Sequence, residues 1–364
     1  MDFTLEQLLN TIAAHNASDL HLIAGSEPQI RIYGKLKPLD LPRMDKNDIQ
    51  TLCYSVITES QKKRLEETKE LDFALDIPKV GRYRTNYYYQ RHGLAAAFRI
   101  IPTEIPTMES LGLPKVLHDV IRRQRGLVLV TGPTGCGKTT TMAALIDEIN
   151  RTENGHIVTI EDPVEFVHEH QGCLISHRSL GEDTKSFATA LKHSMRQDPD
   201  IIFVGEMRDV ETIRTAMTAA ETGHLVFGTL HTNSAPQTIS RIVNVFPTDE
   251  QELVRTQLSM GLLCSVSQCL IPRANGEGRK AIFEVLINTP AVANLIRDNK
   301  LHQILSTMQL GQGQTHMQTQ TQEMLKAVRD RDITGEEAIK HSSSIEELKK
   351  ALGVGAEQEQ QLKK

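Results

Sequence analysis

The five cysteines, Cys53, Cys136, Cys173, Cys264 and Cys269, include no C-x-x-C pair. That absence excludes a disulfide framework and points to a reducing compartment. No stretch approaches the ~18 apolar residues that cross a bilayer, and the start, Met-Asp-Phe-Thr-Leu-Glu, lacks a basic n-region. The expectation is a cytoplasmic protein with no direct membrane insertion, held at a membrane only through a partner. An excess of positive charge is missing too: the formal charge is −5, so nucleic acid is not an expected partner. No internal repeat is evident.

What is present is the composition of a globular protein, 39% apolar and 24% charged. A length of 364 residues suggests two domains and a helical appendage, at ~100 to 200 residues per domain. Thr4-Leu-Glu-Gln7 reads as a capping box for a helix running to about Ala14. Alternating or apolar runs at Leu20 to Ala24, Gln29 to Leu36, Asp72 to Ile77 and Arg82 to Ile101 surround a helical pattern from Asp45 to Glu67. Residues 1–100 are therefore expected to form an α+β domain.

Pro102, Pro106 and Pro114 fix φ and remove donors, which places a linker at 101–114. Beyond it, apolar runs at Leu127 to Val130, Ile157 to Ile160, Ile201 to Val204 and Leu225 to Phe227 alternate with helical segments. One such helix is bracketed by Asp209 as N-cap and Gly223 just past its end. The pattern predicts an α/β domain with a largely parallel sheet over 115–289. From Thr248, with Gln251 three residues on, the chain is expected to turn mainly helical. Further capping boxes are expected at Thr334 with Glu337 and at Ser344 with Glu347. Residues 290–364 form the expected helical C-terminal part, ending in a frayed tail.

Gly132-Pro133-Thr134-Gly135-Cys136-Gly137-Lys138-Thr139-Thr140 satisfies G-x-x-x-x-G-K-[ST] between an apolar strand and a helical stretch. Glycines let backbone N–H groups curl around phosphate oxygens at a helix N-terminus. Lys138 is then expected to reach the β- and γ-phosphates of ATP, and Thr139 to ligate Mg²⁺. Cys136 contributes its backbone N–H, and its place at a helix N-terminus predicts a thiol of lowered pKa.

Three more predicted strands end in polar groups: Glu161-Asp162-Pro163, Gly205-Glu206 and His231. Singly, these read as a turn, an N-terminal helix charge and a satisfied polar side chain. Beside a phosphate loop they read as the working groups at the carboxyl ends of one sheet. Glu206 follows four apolar residues, as a Walker B acid does, and is the first candidate to organise Mg²⁺ and align the attacking water. Glu161 competes for the base role. His231 is placed to sense the γ-phosphate. In GRYRTNYYYQR, alternation puts Arg82 and Arg84 on one strand face, with Arg99 on the next predicted strand. These are candidate arginine fingers, against the readings of a solvated face, structural ion pairs or, with the interleaved tyrosines, a single-strand stacking platform.

Together, GPTGCGKTT, TIEDPVEFVH, DPDIIFVGEMRD and ETGHLVFGTLHTNSA resemble the Walker A, Asp-box, Walker B and His-box motifs of the secretion ATPase superfamily. The likeness extends through HTNSAPQTISRIVNVFPTDEQELVRTQLS and is nearest to the PilT-like type IV pilus retraction ATPases. It implies a PAS-like N-terminal domain before a RecA-like ATPase domain, and a homohexameric motor that hydrolyses ATP to drive pilus retraction and twitching motility. By resemblance Glu161, Glu206, His224 and His231 line the nucleotide site, and Arg82, Arg84 and Arg99 reach it. The implied partners are an inner-membrane pilus platform protein, at the cytoplasmic face of that membrane, and a paralogous retraction ATPase.

Assembly and secretion members carry a four-cysteine zinc insertion. Here Gln268-Cys269-Leu-Ile-Pro-Arg273 runs almost directly into Ala281-Ile-Phe-Glu284, so a zinc site of that type is not expected. Retraction members carry Ala-Ile-Arg-Asn-Leu-Ile-Arg-Glu. This chain has Ala291-Val-Ala-Asn-Leu-Ile-Arg-Asp298, with Ala293 in place of the first arginine. That substitution leaves room for an accessory subunit that binds ATP beside a paralogous motor, and a nucleic-acid-dependent translocase is the third reading.

Overall fold

The structure, a computed structural model, describes residues 3–15, 17–32, 34–102 and 104–354. The frayed tail expected at the end of the chain falls on 355–364, outside the described residues. The chain divides into two units, one of the residues up to Ile105 with Asp162–Val167, the other of Pro106–Glu161 and the residues from His168 on.

The first unit opens with α1 (Leu5–Ala14), capped by the Thr4 and Gln7 box and burying Leu5, Leu8, Leu9 and Ile12 on one face. There follow β1 (Asp19–Leu22), β2 (Gln29–Ile32), β3 (Lys35–Pro38), α2 (Lys46–Tyr54) and α3 (Glu59–Thr68). Then come β4 (Glu70–Ile77), β5 (Gly81–Gln90) and β6 (Gly93–Ile101). The run expected as one strand from Gln29 to Leu36 is a hairpin, because Gly34 takes φ +81°. The sheet order is β3-β2-β1-β6-β5-β4, antiparallel throughout. Period-two alternation buries Leu71, Phe73 and Leu75 of β4 with Tyr83 and Tyr87 of β5, and turns Arg84 outward.

The second unit contains α4 (Val116–Ile121), β7 (Gly126–Thr131), α5 (Lys138–Thr152), β8 (His156–Glu161), β9 (Leu174–Ser179) and α6 (Phe187–Ser194). It continues with β10 (Ile201–Val204), α7 (Val210–Glu221), β11 (Leu225–Leu230), α8 (Ala235–Asn244) and α9 (Gln251–Gly261). Next are β12 (Leu262–Pro272) and β13 (Arg279–Ile287), then α10 (Pro290–Arg297), α11 (Ile304–Thr315), α12 (Gln320–Arg329), α13 (Gly335–His341) and α14 (Ile345–Leu352). The sheet order is β13-β12-β7-β11-β10-β8-β9, with only β13 antiparallel to its neighbour. Every residue of β7, β10 and β11 is buried. Leu127, Val158, Ile202 and Val226 pack toward α7, α8 and α9, whereas Val128, Ile157, Phe203 and Phe227 pack toward α5. Burial on both faces is why these segments read as unbroken apolar runs.

The expectation of a mainly helical chain from Thr248 is corrected by β12 and β13. Ser265, Ser267, Gln268 and Glu284 are buried in them, so neither the polarity nor the period marks a strand. Gly276 and Gly278, at φ +78° and +74°, turn the chain between the two. Thr248 does not cap α9, whose N-cap is Glu250 without a side-chain bond. Asp209 caps α7 as expected and Thr334 accepts the Glu337 N–H at the start of α13, one half of the box expected there, while Ser344 stands at the N-cap of α14 without a capping bond. The last three helices pack Met324, Ala327, Ala338 and Leu348 on Cys269, Ile271 and Ile282 of the β12–β13 pair.

Candidate active site

The phosphate loop leaves the carboxyl end of β7 at Gly132, with φ +143°. A Cβ there would lie 2.2 Å from the carbonyl oxygen of Gln268, so only glycine fits. Gly135 and Gly137 also have positive φ, at +78° and +91°. No side chain caps the start of α5 and no acid stands in its first turn, which leaves its N–H groups and dipole for an anion. Pro133, Thr134 and Gly135 form an exposed crest, and Lys138, Thr139 and Thr140 are half-buried behind it.

Lys138 Nζ donates to the carbonyls of Gly132 at 2.8 Å and Pro133 at 3.3 Å, and lies 3.5 Å from His231 Nδ1. Since an ammonium only donates, Nδ1 is the acceptor and the His231 proton sits on Nε2. That nitrogen is 3.0 Å from Glu206 Oε1. Arg208 grips the same carboxylate in a fork, Nε to Oε1 at 2.6 Å and Nη2 to Oε2 at 2.7 Å. Burial pushes the Glu206 carboxyl up, but Arg208 and His231 outweigh it and hold the group below the usual carboxylate range. Glu206 is therefore ionised at neutral pH. Burial lowers the Lys138 amine against the pull of Cys136 and Glu206.

Lys138, His231 and Glu206 come from the carboxyl ends of β7, β11 and β10, which pair in parallel. Glu161, at the end of β8, is buried, and its Cα would lie 3.2 Å from a Cβ at Gly205. The absent side chain is what lets the β8 and β10 ends close up beside Glu206. Among the described residues no group of three or more His, Cys, Asp or Glu side chains could hold a metal.

Two expectations, for His224 and Cys136, meet a different geometry. His224 precedes β11, its ring bonded to the Ala219 carbonyl at 3.0 Å and its own carbonyl accepting from Gly126 N–H. Parallel pairing puts it at the amino edge of the sheet, about 20 Å from the phosphate loop at 3.3 Å per strand residue. Cys136 is buried, and burial raises its thiol despite Lys138 nearby, which overrides the helix N-terminus. Arg82, Arg84 and Arg99 all lie in the first unit, Arg84 directly opposite Arg99 on adjacent strands. There Arg82 donates to the Val164 carbonyl at 2.9 Å, Arg84 pairs with Glu165 at 3.2 Å and Arg99 with Asp19 at 2.8 Å.

Sequence reasoning missed Arg208, Gln268 and Glu284. Gln268 Nε2 donates to the Cys136 carbonyl at 2.7 Å and so braces the loop from β12. Glu284 accepts from the backbone N–H groups of Ala235 at 2.8 Å and Gln320 at 3.3 Å, joining the starts of α8 and α12. Burial raises its carboxyl, and the two N–H groups pull the other way. Single polar residues inside the runs Leu262–Pro272 and Arg279–Ile287 were the available signal.

Residues 3–348 match the Type II/IV secretion system protein family. The chain belongs to that family. It is 50% identical to the type IV pilus retraction ATPase PilT of Pseudomonas aeruginosa over 88% of this chain and 92% of that one. It is 39% identical to the type IV pilus ATPase PilU of the same organism, over 97% of this chain and 92% of the relative. The crystal structure of the pilus retraction motor PilT with bound ADP superposes with a TM-score of 0.90 at 48% identity, covering 96% of this chain and 100% of that one. As a member of this family the chain is an ATPase with a RecA-like P-loop fold. Among the described residues no helix is long and apolar enough to cross a membrane.

Proposed function

We propose that this chain is the motor of type IV pilus retraction, a homohexamer that hydrolyses ATP with Mg²⁺ and works on an inner-membrane platform protein from its cytoplasmic face. The observation that carries the reading is the chain of contacts from Lys138 through His231 to Glu206. It links the phosphate-binding lysine to the carboxylate of the hydrolysis site. ATP draws Lys138 off the Gly132 and Pro133 carbonyls onto its phosphates, as the loop N–H groups wrap them. Magnesium, held by Thr139 and Glu206, would neutralise phosphate charge.

Glu206, once exchanged from Arg208, or Glu161 aligns the attacking water. Arg82, Arg84 and Arg99 are the proposed source of further positive charge in the assembled ring. Loss of the γ-phosphate returns Lys138 to His231. The change then runs through Ser234, which caps α8, to Glu284 and α12.

The likeness to PilU and the Ala293 substitution favour a second reading, an accessory ATPase acting with a paralogous motor. Deleting the gene and imaging pilus retraction separates the two. Wild type should restore retraction by itself and Lys138→Ala should not. Failure of the wild-type chain without its paralogue would establish the accessory role.

A further inference from the structure

Beside the hydrolysis site, β8 and β9 pair in parallel with Thr159 opposite His177 and Glu161 opposite Ser179. His177 Nε2 accepts the backbone N–H of His168 at 3.0 Å. An imidazolium has no acceptor and a neutral ring carries one proton, so that proton sits on Nδ1. The N–H edge meets Thr159 Oγ1 at 2.8 Å and faces Glu161 Oε1 at 3.9 Å. His168 stacks on His177 with centroids 5.7 Å apart and planes at 20°. Burial pushes that ring down to about 4, so it is an uncharged cover at neutral pH. The Glu161 carboxyl is thus buried with an oriented N–H dipole beside it.

We propose that His177 is a positioning residue for ATP hydrolysis, setting the orientation of the Glu161 carboxylate at the end of β8 through its Nδ1–H edge. The 3.9 Å separation is too long for a hydrogen bond, so the N–H edge acts on the carboxyl as an oriented dipole, and Thr159 fixes the dipole's direction. The proposal rests on reading Glu161 as a carboxylate of the hydrolysis site. It assigns the two ring nitrogens different tasks, and amide substitutions separate them. Asparagine can place a donor near the Nδ1 position, whereas glutamine can place an acceptor near the Nε2 position.

Steady-state ATP hydrolysis by the assembled full chain is measured for wild type, His177→Asn, His177→Gln, His177→Ala and Glu161→Gln, with kcat normalised to sites titrated with ADP. The expected result is a roughly tenfold fall in kcat for the Ala and Gln variants, with KM for ATP within about twofold, and kcat for Asn within about threefold of wild type. Full activity in Gln but not Asn would overturn the proposal, because His177 would then act only by holding the His168 backbone. Equal activity in all three substitutions, high or low, would overturn it as well. Wild-type turnover in Glu161→Gln would instead remove Glu161 from the hydrolysis site, whatever the His177 series shows.

Discussion

The two sheets of this protein use the same backbone chemistry to opposite ends. The antiparallel sheet of the first unit buries one face and turns Arg84 and Arg99 outward, where each is held by a nearby carboxylate. The parallel sheet of the second unit buries both faces of its central strands and presents Glu161, Glu206 and His231 at or just past their carboxyl ends. An antiparallel pair places neighbouring residues by alternation, so its charges form a surface. Parallel strands bring all their carboxyl ends to one edge, so residues as distant in sequence as Lys138, Glu206 and His231 converge. Close backbone packing shapes that edge, at Gly132 and Gly205, whereas nothing lies within 4 Å of a Cβ built at Gly34 in the antiparallel sheet.

Glycine substitutions break that comparison most strongly. Gly132→Ala meets the Gln268 carbonyl at 2.2 Å as well as a φ of +143°, and should cost more than about 3 kcal/mol and abolish ADP binding. Gly34→Ala has nothing within 4 Å and a φ of +81°, so it should cost about 1 kcal/mol in thermal unfolding. Equal losses at the two positions would deny the packing difference.

Glu284→Ala comes next. It strips both Ala235 and Gln320 N–H groups of their partner in a buried place, a loss of about 2 to 3 kcal/mol in denaturant unfolding.

A smaller effect comes from His168. Its folded pKa of about 4 is below the ordinary 6.5, so the unfolded chain takes up a proton first as pH falls. The stability this neutral ring contributes is full above about pH 6.5 and is lost toward pH 4, about 2 kcal/mol by pH 5. His168→Phe keeps the stacked ring without the titration. Its melting temperature should fall less than that of wild type between pH 7 and pH 5.

The phosphate loop, the carboxylates at the ends of β8 and β10, and the strands β7, β8, β10 and β11 were legible because each is local, a motif, a cap or an apolar run, whereas β9, β12 and β13 were not. What escaped depends on pairing across long stretches of chain. Glu284 meets residues 49 and 36 positions away, and Gln268 meets Cys136 at a separation of 132. His224 was assigned to the nucleotide site by the resemblance of ETGHLVFGTLHTNSA to a His-box. Only the parallel register shows that a residue before β11 lies at the far edge from one after β7. Arg208, two positions from Glu206, was close enough to find, but a charged residue after a strand has no signature that marks it as a carboxylate partner.

The central claim is that hydrolysis is organised by the strand ends of the parallel sheet. The most direct test is the steady-state ATPase rate of the assembled Glu206→Ala protein beside Arg84→Ala. The account predicts a fall of at least about a hundredfold for Glu206→Ala and about tenfold for Arg84→Ala, with ADP binding kept in both. Near wild-type turnover in Glu206→Ala would contradict it.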